Sequence, residues 1–525
     1  MQPHAHRVLE ELRKHWALLL LYVGALCWLT QDLGLVPGLH ADEAWTFLRT
    51  ETSDTSGMNA YTSAFYTSCL DVFFGVAGKG IMQLRLFGVL TNVLGLFFAL
   101  RLIRHLYPEK TMTFWMGALL LSSPAFVMLS RMAFELTALI PLLLWAGFFF
   151  VVSASQQREK HSILKLLLGG FLLGVACHTH LVALSVCVSV GVAWLSVHRR
   201  QGLIPSLLYV GIGFLAGFGP RIWAVLGSQR SGQILDIVLG QWGEKDFYLD
   251  LLALPLVMGD VLDGSLLYLR TVGGMAMPAL PVFALLIGLL FWLLWRERAR
   301  LCFSRTDAVL VLSFLLLPLV MRSFSGNTSL RYFVFNAHLL PLLLLSLLRG
   351  AGLFSAEPFL RRKFVQVMLA TCVCVNVMTV QVNYFKAHRQ SGGTHTLFSL
   401  GAVLRETSSH FVRSQELYDG LIAQGAKRVV SHYFISESLK ALDWQNQRLD
   451  IVEEEMYAPP KRLGTQEERV LTYYVYYNTP MPGWPNWQWM QELETIRLND
   501  VQLRRLQLGA PHFLVFVPSP EVAVE

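Results

Sequence analysis

Charged side chains are scarce in this sequence. Only 15% of the 525 residues are Asp, Glu, Lys or Arg, against about 25% in an average soluble domain. The shortage falls between Trp16 and Tyr384, where apolar runs of about 17 to 25 residues recur, each long enough to cross a bilayer. After about Lys386 the composition is that of an ordinary globular protein. A single soluble domain is therefore excluded, and a membrane protein with a soluble C-terminal part is indicated.

Signatures of several other protein classes are missing as well. The seven cysteines have neither the spacing nor the histidine partners of a zinc site, and most lie singly in apolar runs as small buried side chains. The C-terminal part contains no Gly-rich phosphate loop and no nucleophile elbow. The net charge of +7 comes from basic loops between apolar runs rather than from a basic stripe. Nucleic acid is therefore not an expected partner.

The apolar runs predict about eleven transmembrane helices, because a helix pairs every backbone group within its own segment. They lie near 16–36, 84–106, 113–130, 133–153, 163–177, 181–197, 204–224, 276–295, 307–322, 332–348 and 364–384. Basic segments alternate with the other loops, so the positive-inside rule places the N-terminus in the cytoplasm and the C-terminal domain outside. No eukaryotic retrieval signal is evident, which favours a bacterial plasma (inner) membrane with a periplasmic or extracellular C-terminal domain.

The predicted fold is an all-α polytopic membrane domain over 1–385 and a small α/β extracytoplasmic domain over 386–525. The first exported loop, 37–83, belongs to the membrane domain in this prediction and carries juxtamembrane helices. In the C-terminal domain, a helix is expected at 417–424 and a second from a Ser436 cap to Leu442. Gly425 is expected to end the first of them. Strands are expected at 427–434, 449–453, 469–477 and 513–518.

The most informative residues follow the first apolar run, in the segment "PGLHADEAWTFLRT". His40, Asp42 and Glu43 lie just past the end of a membrane helix on the predicted outer face, where ionisable groups are costly and rarely idle. Two adjacent residues diverge by about 100° on a helix, so the two carboxylates cannot share one proton. One can act on a substrate while the other holds structure. The structural alternative is that Asp42 caps the short helix that follows.

The sequence resembles the GT-C superfamily of polyprenyl-phosphate-sugar glycosyltransferases, in the branch of protein mannosyltransferases and the lipid A aminoarabinose transferase. That family carries an acidic pair directly after its first span, matched in type and position by Asp42 and Glu43. Further resemblances follow in family order: "LRLFGVL" with Arg85, "SSPAFVMLSRMAFELTALIPLLL" with Arg131, "GFLLGVACHTHL" with His180, and "RYFVFNAHLLPLLL" with Arg331 and Tyr332. The His-Pro-Pro-Leu stretch of many relatives is absent from the first exported loop, where Asn59 and Tyr61 are expected to take over contacts.

The resemblance implies an inverting hexosyl- or pentosyltransferase. It would move a sugar from a polyprenyl-phosphate donor to a lipid, glycan or protein acceptor on the outer face. Asp42 is expected to be the general base, with Glu43 beside it. Cations are expected at the leaving phosphate, where the arginine fork binds two oxygens at once. The expected substrate contacts are His40, Asn59, Tyr61, Arg85, Arg131, His178, His180, Arg331 and Tyr332.

Four of these residues have an alternative interpretation. Arg85 at a helix end is also typical of an anchor that reaches the lipid head groups. Arg131 is spaced for a salt bridge to Glu135. His178 and His180 could hold a divalent cation together with Asp42, or could act as hydrogen-bonding and phosphate-contacting groups without metal. A divalent cation is therefore a candidate, and no other cofactor is indicated.

Two other functions also fit about eleven helices. The first is a transporter or flippase of lipid-linked saccharides, a class that holds ionisable groups near the bilayer midplane and shows internal repeats. The second is a non-catalytic subunit of cell-envelope assembly whose exported domain binds partners. The candidate charges cluster at one face and no repeat is visible, which favours the transferase.

Overall fold

The computed structural model describes two compact units, each treated separately below. The described residues are 19–34, 39, 41–50, 65–107, 109–156, 162–197, 203–227, 304–324, 334–354, 359–386, 414–454, 472–477, 495–498, 501–506 and 513–518, with single positions at 288, 292, 295 and 296. The helical unit comprises the described residues 19–34 and 65–381. The sheet unit comprises the described residues 39–50 and 382–518.

The helical unit is built from helices throughout its described residues. In chain order they are α1 (Leu19–Thr30), α3 (Phe65–Ala77), α4 (Ile81–Leu106), α5 (Lys110–Ser122), α6 (Pro124–Arg131), α7 (Leu139–Gln156), α8 (Ser162–Thr179), α9 (Val182–Val197), α10 (Leu203–Gly227), α11 (Arg305–Phe324), α12 (Val334–Gly350) and α13 (Phe359–Thr379). A π-helical segment, Val380–Lys386, follows α13. Helix α2 belongs to the sheet unit.

Within the described residues, three helices are long and apolar enough to cross a membrane by themselves. They are Ile81–Leu106, Ser162–Thr179 and Arg362–Val382, and the bent pair α5–α6 is a fourth if it counts as one span. Helices lie at the other predicted spans too, except at 276–295, most of which lies outside the described residues. Spans five and six are separate helices, α8 and α9, as predicted. The total of eleven spans stays a prediction.

The span predicted at 113–130 is not one straight helix. It bends by 65° between α5 and α6. Ser123 has an extended backbone, and its hydroxyl accepts a hydrogen bond from the Phe126 amide as the cap of α6, with Pro124 in the first helical position. A residue before proline is disfavoured in the helical region, which explains why α5 ends there. The bend places Arg131 at the end of a new short helix.

Glycines bring α8 and α10 into close contact. Gly170 and Gly174 on α8 face α10, and Gly213 and Gly217 on α10 face α8. A Cβ atom at any of these four positions would lie 2.1 to 2.3 Å from a backbone carbonyl oxygen of the other helix. Small residues four apart allow such an approach, which is the usual way for membrane helices to gain packing energy. The backbones are therefore fixed in one register.

The sheet unit contains a six-stranded mixed sheet in the order β2-β1-β3-β6-β5-β4. Its described elements are α2 (Ala41–Arg49), α14 (Ser414–Ala423), β1 (Arg428–His432), α15 (Tyr433–Asp443), β2 (Asp450–Glu454), β3 (Thr472–Tyr477), β4 (Thr495–Leu498), β5 (Val501–Leu506) and β6 (Phe513–Pro518). Strands β2, β1 and β3 are parallel, and the remaining pairs are antiparallel. The apolar core includes Leu417, Leu421, Leu439, Val475 and Val515.

The sequence predicted most of these elements. Both helices and the strands β1, β2, β3 and β6 lie at the expected places, and Gly425 follows α14 with a positive φ of 73°. The prediction that Ser436 caps α15 is wrong. The helix begins at Tyr433, directly after β1, so Ser436 lies inside it and donates a hydrogen bond to the Ser431 carbonyl. Strands β4 and β5 were not predicted.

One grouping differs from the predicted domain arrangement. The first exported loop was assigned to the membrane domain, but α2 from that loop packs against α15 of the sheet unit. The sequence could not indicate this, because α2 and α15 are almost 400 residues apart. The residues of α2, just after the first apolar run, therefore belong to the C-terminal unit.

Candidate functional site

Two predicted cationic residues bind the end of α1. The Arg131 guanidinium donates a hydrogen bond to the Leu29 carbonyl at 2.7 Å, and the Arg85 guanidinium donates to the Leu33 carbonyl at 3.1 Å. Both arginines are fully buried. The last carbonyls of a helix have no partner within the helix, and cations are favoured there. Arg85 and Arg131 therefore fix the end of α1, from which the chain continues to the acidic segment.

A third contact holds the same end of α1. The Gln381 side-chain amide donates a hydrogen bond to the Gln31 side chain at 3.1 Å, which joins α1 to the segment after α13. The predicted salt bridge from Arg131 to Glu135 was based on one continuous helix. Helix α6 ends at Arg131 and Glu135 lies in the following turn. That spacing argument therefore no longer applies.

The acidic pair lies at the start of α2. Asp42 occupies the first turn of the helix, and Glu43 follows it. The Glu43 side chain is fully buried, on the same helix face as Phe47, which is also fully buried. Residues four apart on a helix share a face, so Glu43 lies on the side of α2 that is enclosed by the sheet unit. This placement fits a structural role for Glu43, rather than a catalytic one.

Several predicted site residues fall outside what the structure describes. His40, Asn59, Tyr61, Arg331 and Tyr332 lie outside the described residues, and for Asp42 only the backbone position in α2 is described. Their predicted roles stay predictions. Among the predicted residues whose side chains are described, Arg85 and Arg131 meet the chain at and just after the end of α1, and His178 and His180 lie at the end of α8.

The two predicted histidines have different surroundings. His180 is buried after the end of α8, and its Nδ1 atom accepts a hydrogen bond from the Val182 amide at 3.1 Å. His178 is half-buried and contacts Phe65 of α3 edge-to-face, with ring centroids 6.0 Å apart. The buried Nδ1 atom of His178 has no hydrogen-bond partner among the described residues. His178 is thus the better placed of the two to bind a further group.

The structure adds Arg221, which was not predicted. His178 lies four residues after Gly174 on α8, and Arg221 lies four residues after Gly217 on α10, so each continues the glycine face of its helix. Arg221 is buried, and its charge acts on the His178 imidazole. The signal was present in the sequence as a matched spacing, Gly-Gly-His on one helix and Gly-Gly-Arg on the other. A buried cation beside an imidazole is suited to bind an anion.

The metal alternative receives no support from the described residues. Nowhere in that part of the chain do three His, Cys, Asp or Glu side chains come together as a metal site. The predicted set was His178, His180 and Asp42, and the Asp42 side chain lies outside that part. A divalent cation therefore stays a prediction.

A second polar cluster lies at the opposite, predicted cytoplasmic ends of the helices. The buried Asp307 carboxylate accepts hydrogen bonds from Tyr107 at 2.7 Å, from Arg349 at 2.7 Å, and from Ser304 and Ser346. The Arg349 guanidinium also lies over the Tyr107 ring, 4.7 Å from its centroid. This cluster joins the ends of α4, α11 and α12. Because both oxygens of the Asp307 carboxylate are already hydrogen-bonded within the helical unit, the cluster serves the fold.

The chain has the fold of the GT-C glycosyltransferases, and the resemblance read from its sequence is confirmed at that level. No family model and no curated protein matches the sequence.

Among solved structures, the chain is similar to ArnT from Cupriavidus metallidurans. It matches the apo state with a TM-score of 0.56 and 14% identity over 98% of this chain and 99% of that one. It matches ArnT bound to undecaprenyl phosphate with a TM-score of 0.55 and 13% identity over 97% and 99%. The oligosaccharyltransferase AglB from Archaeoglobus fulgidus, in complex with an inhibitory peptide and a dolichol-phosphate, reaches a TM-score of only 0.47, with 12% identity over 85% and 65%.

Proposed function

We propose that this protein is an integral membrane glycosyltransferase that moves one sugar from a polyprenyl-phosphate donor to an acceptor on the outer face of the plasma membrane. The observation that carries the proposal is the fold likeness to ArnT along nearly the whole chain, since that protein is known bound to undecaprenyl phosphate. The acidic pair after the first span supports it from the sequence side. In this proposal about eleven helices span the membrane and the sheet unit is extracytoplasmic.

The proposed reaction is a single displacement with inversion. The acceptor hydroxyl oxygen attacks the anomeric carbon of the donor, and the bond from that carbon to the phosphate oxygen breaks. The hydroxyl proton passes to the Asp42 carboxylate, which acts as general base. The polyprenyl phosphate leaves with the electron pair of the broken bond, so its negative charge grows in the transition state. Fixed cations at that position lower the barrier.

His178 and Arg221 are proposed to receive the leaving phosphate. The glycine contacts between α8 and α10 hold the two residues at the same end of their helices, and a fixed donor set needs no reorganisation during the reaction. Arg331 and Tyr332 stay in the proposal as further contacts to the donor, with His40, Asn59 and Tyr61 toward donor or acceptor. Arg131 acts on the end of α1 and Arg85 on the turn that follows it, because their described hydrogen bonds go to the Leu29 and Leu33 carbonyls.

A transfer assay tests the proposal. The full-length protein is placed in lipid nanodiscs with tritium-labelled undecaprenyl-phosphate hexose, pentose or aminopentose. Lipid A, a Ser/Thr-rich peptide and a glycan are offered as acceptors. Asp42→Asn should lower the turnover at least about 100-fold, in the range typical for loss of a general base. Asp71→Asn is the matched control, because Asp71 is an exposed acid of α3 and its loss should leave turnover unchanged.

Two results would count against the proposal. Full turnover in Asp42→Asn would remove Asp42 as the base. Absence of transfer from every donor, together with movement of labelled lipid across a vesicle membrane, would favour the flippase. No described observation favours that rival at present, since the buried acid of the described helical unit, Asp307, lies at a helix end rather than at mid-span.

A further inference from the structure

Helix α2 is too short to be stable alone. It has nine residues, and isolated helices shorter than about 12 to 15 residues are marginal in water. Its conformation and position must therefore come from what it packs against. The buried side chains of α2 are Glu43, Ala44, Thr46 and Phe47. They fall on one face, and α15 is the helix of the sheet unit that contacts α2.

The central contact in this packing is between two aromatic rings. Phe47 is fully buried, and its ring meets the Trp444 ring edge-to-face, with centroids 5.3 Å apart and planes at 81°. This is the preferred geometry for an aromatic pair. At the end of α2, the Thr50 hydroxyl donates a hydrogen bond to the Phe47 carbonyl at 2.8 Å, and the Arg49 guanidinium lies over the Trp45 ring. The ring pair joins α2 to the turn after α15, and the other two contacts stabilise the last turn of α2 itself.

Trp444 is itself held by a buried carboxylate. Trp444 is the first residue after α15, next to Asp443. The Asp443 carboxylate accepts hydrogen bonds from the Tyr418 hydroxyl at 2.7 Å and from the Leu449 amide at 2.9 Å. The Asp443 backbone carbonyl accepts two more from the turn that follows. The turn carrying Trp444 is therefore fixed to the core of the sheet unit.

We infer that Trp444 and Phe47 act as positioning residues for α2, the helix that carries Asp42. The inference rests on the proposed function, because Asp42 matters only if it is the base. A loss of about 1 Å in the placement of a reacting group can lower a rate by orders of magnitude. Residues 382–518 of the sheet unit thus contribute to catalysis by holding α2 in place.

The test compares variants that each truncate an apolar side chain of the sheet unit but remove different contacts. Trp444→Ala and Phe47→Ala remove the ring contact. Val517→Ala is the matched control, because Val517 lies on β6 in the core of the same unit. Trp444→Phe keeps a ring and should restore function. All are made in the full-length protein in nanodiscs and are measured for kcat, KM and hydrogen exchange of the α2 backbone amides.

The expected result separates positioning from stability. Trp444→Ala and Phe47→Ala should each lower kcat at least about 10-fold with KM changed less than about 3-fold. The double variant should be no worse than either single one, because both remove the same contact. Exchange of the α2 amides should become faster in these variants but not in Val517→Ala. Trp444→Phe should recover most of the kcat.

Other outcomes overturn the inference. Equal losses of kcat in Trp444→Ala and Val517→Ala would reduce the sheet unit to a stabilising role. Unchanged hydrogen exchange of the α2 backbone amides in Trp444→Ala would show that the ring contact does not hold the helix in place. Faster exchange with unchanged kcat, while Asp42→Asn is inactive, would contradict the inference alone. An active Asp42→Asn would contradict the proposed function, and the catalytic part of the inference with it.

Discussion

The interiors of the two units are stabilised by different kinds of contact. In the helical unit the described contacts are glycine surfaces, arginine bonds to helix carbonyls and the Asp307 cluster. In the sheet unit a compact apolar core of Leu, Ile and Val lies between helices and sheet. The difference follows from the surroundings, since lipid tails are as apolar as leucine and give helices little hydrophobic reason to associate. In the membrane, close packing and polar bonds must therefore drive the association of helices, whereas in water the hydrophobic effect drives it.

The largest effect is expected at Asp307. Asp307→Ala leaves Arg349 facing a buried cluster without its carboxylate, and breaking a buried pair costs about 3 to 5 kcal/mol. Arg349 keeps 24% of its side chain exposed, so the loss should be near the lower end, about 3 kcal/mol. The free energy of unfolding is measured by SDS titration in mixed micelles. Asp71→Ala, an exposed acid, should stay within about 0.5 kcal/mol of the parent, and an equal loss there would disprove the role of the cluster.

An effect of intermediate size is expected at the glycine contact. In Gly174→Ala the new methyl group would lie 2.2 Å from the Phe214 carbonyl oxygen, so the backbones must separate, at a cost of about 1 to 3 kcal/mol. Gly211→Ala on α10 is the control, because its methyl group meets nothing within 4 Å and an alanine favours the helix by about 0.5 to 1 kcal/mol. In the same SDS titration, Gly174→Ala should lower the free energy of unfolding and Gly211→Ala should raise it. A change of the same sign in both variants would refute close packing as the cause.

The smallest effect is expected in the sheet unit. Tyr418→Phe removes one hydrogen bond to Asp443, worth about 1 kcal/mol at pH 8. Burial and the hydrogen bond to Asp443 raise the pKa of Tyr418 above its usual value of 10.0. The stabilisation is therefore complete below pH 10 and is lost as the pH rises through the raised pKa. Urea pulse proteolysis of the full-length protein at pH 8 and above pH 10 checks this. A difference that does not shrink at high pH would contradict it.

Hydropathy predicted the described helices of the helical unit well, because a bilayer demands long apolar segments whatever their neighbours are. The order of short motifs led to Asp42, Arg85, Arg131 and His180. It did not show that Arg131 donates to a carbonyl of α1 and Arg85 to one in the turn after α1, since a motif gives a residue type without its bonding partner. Arg221 was missed because its importance depends on matching the spacing of two separate helices.

The sheet unit was predicted less completely, for local reasons. Strand β4 has only four residues, and in β5 the alternation of apolar and polar residues in "VQLRRL" breaks at Arg505, so neither strand carries a sustained pattern. Ser436 looked like a cap because the sequence gives no sign that β1 runs directly into α15. The packing of Phe47 on Trp444 joins distant parts of the chain, and no local pattern predicts such a contact.

The packing of α2 against Trp444 has a consequence for biosynthesis. Phe47 is made about 400 residues before Trp444, and translation at about 5 to 20 residues per second separates them by roughly 20 to 80 seconds. During that interval the helices of the membrane unit can insert, but the helix with the acidic pair has no support. Under the proposed function, a nascent or truncated chain is inactive even when its helices are already in the bilayer. The lipid-linked sugar donor is used only by molecules whose synthesis has finished.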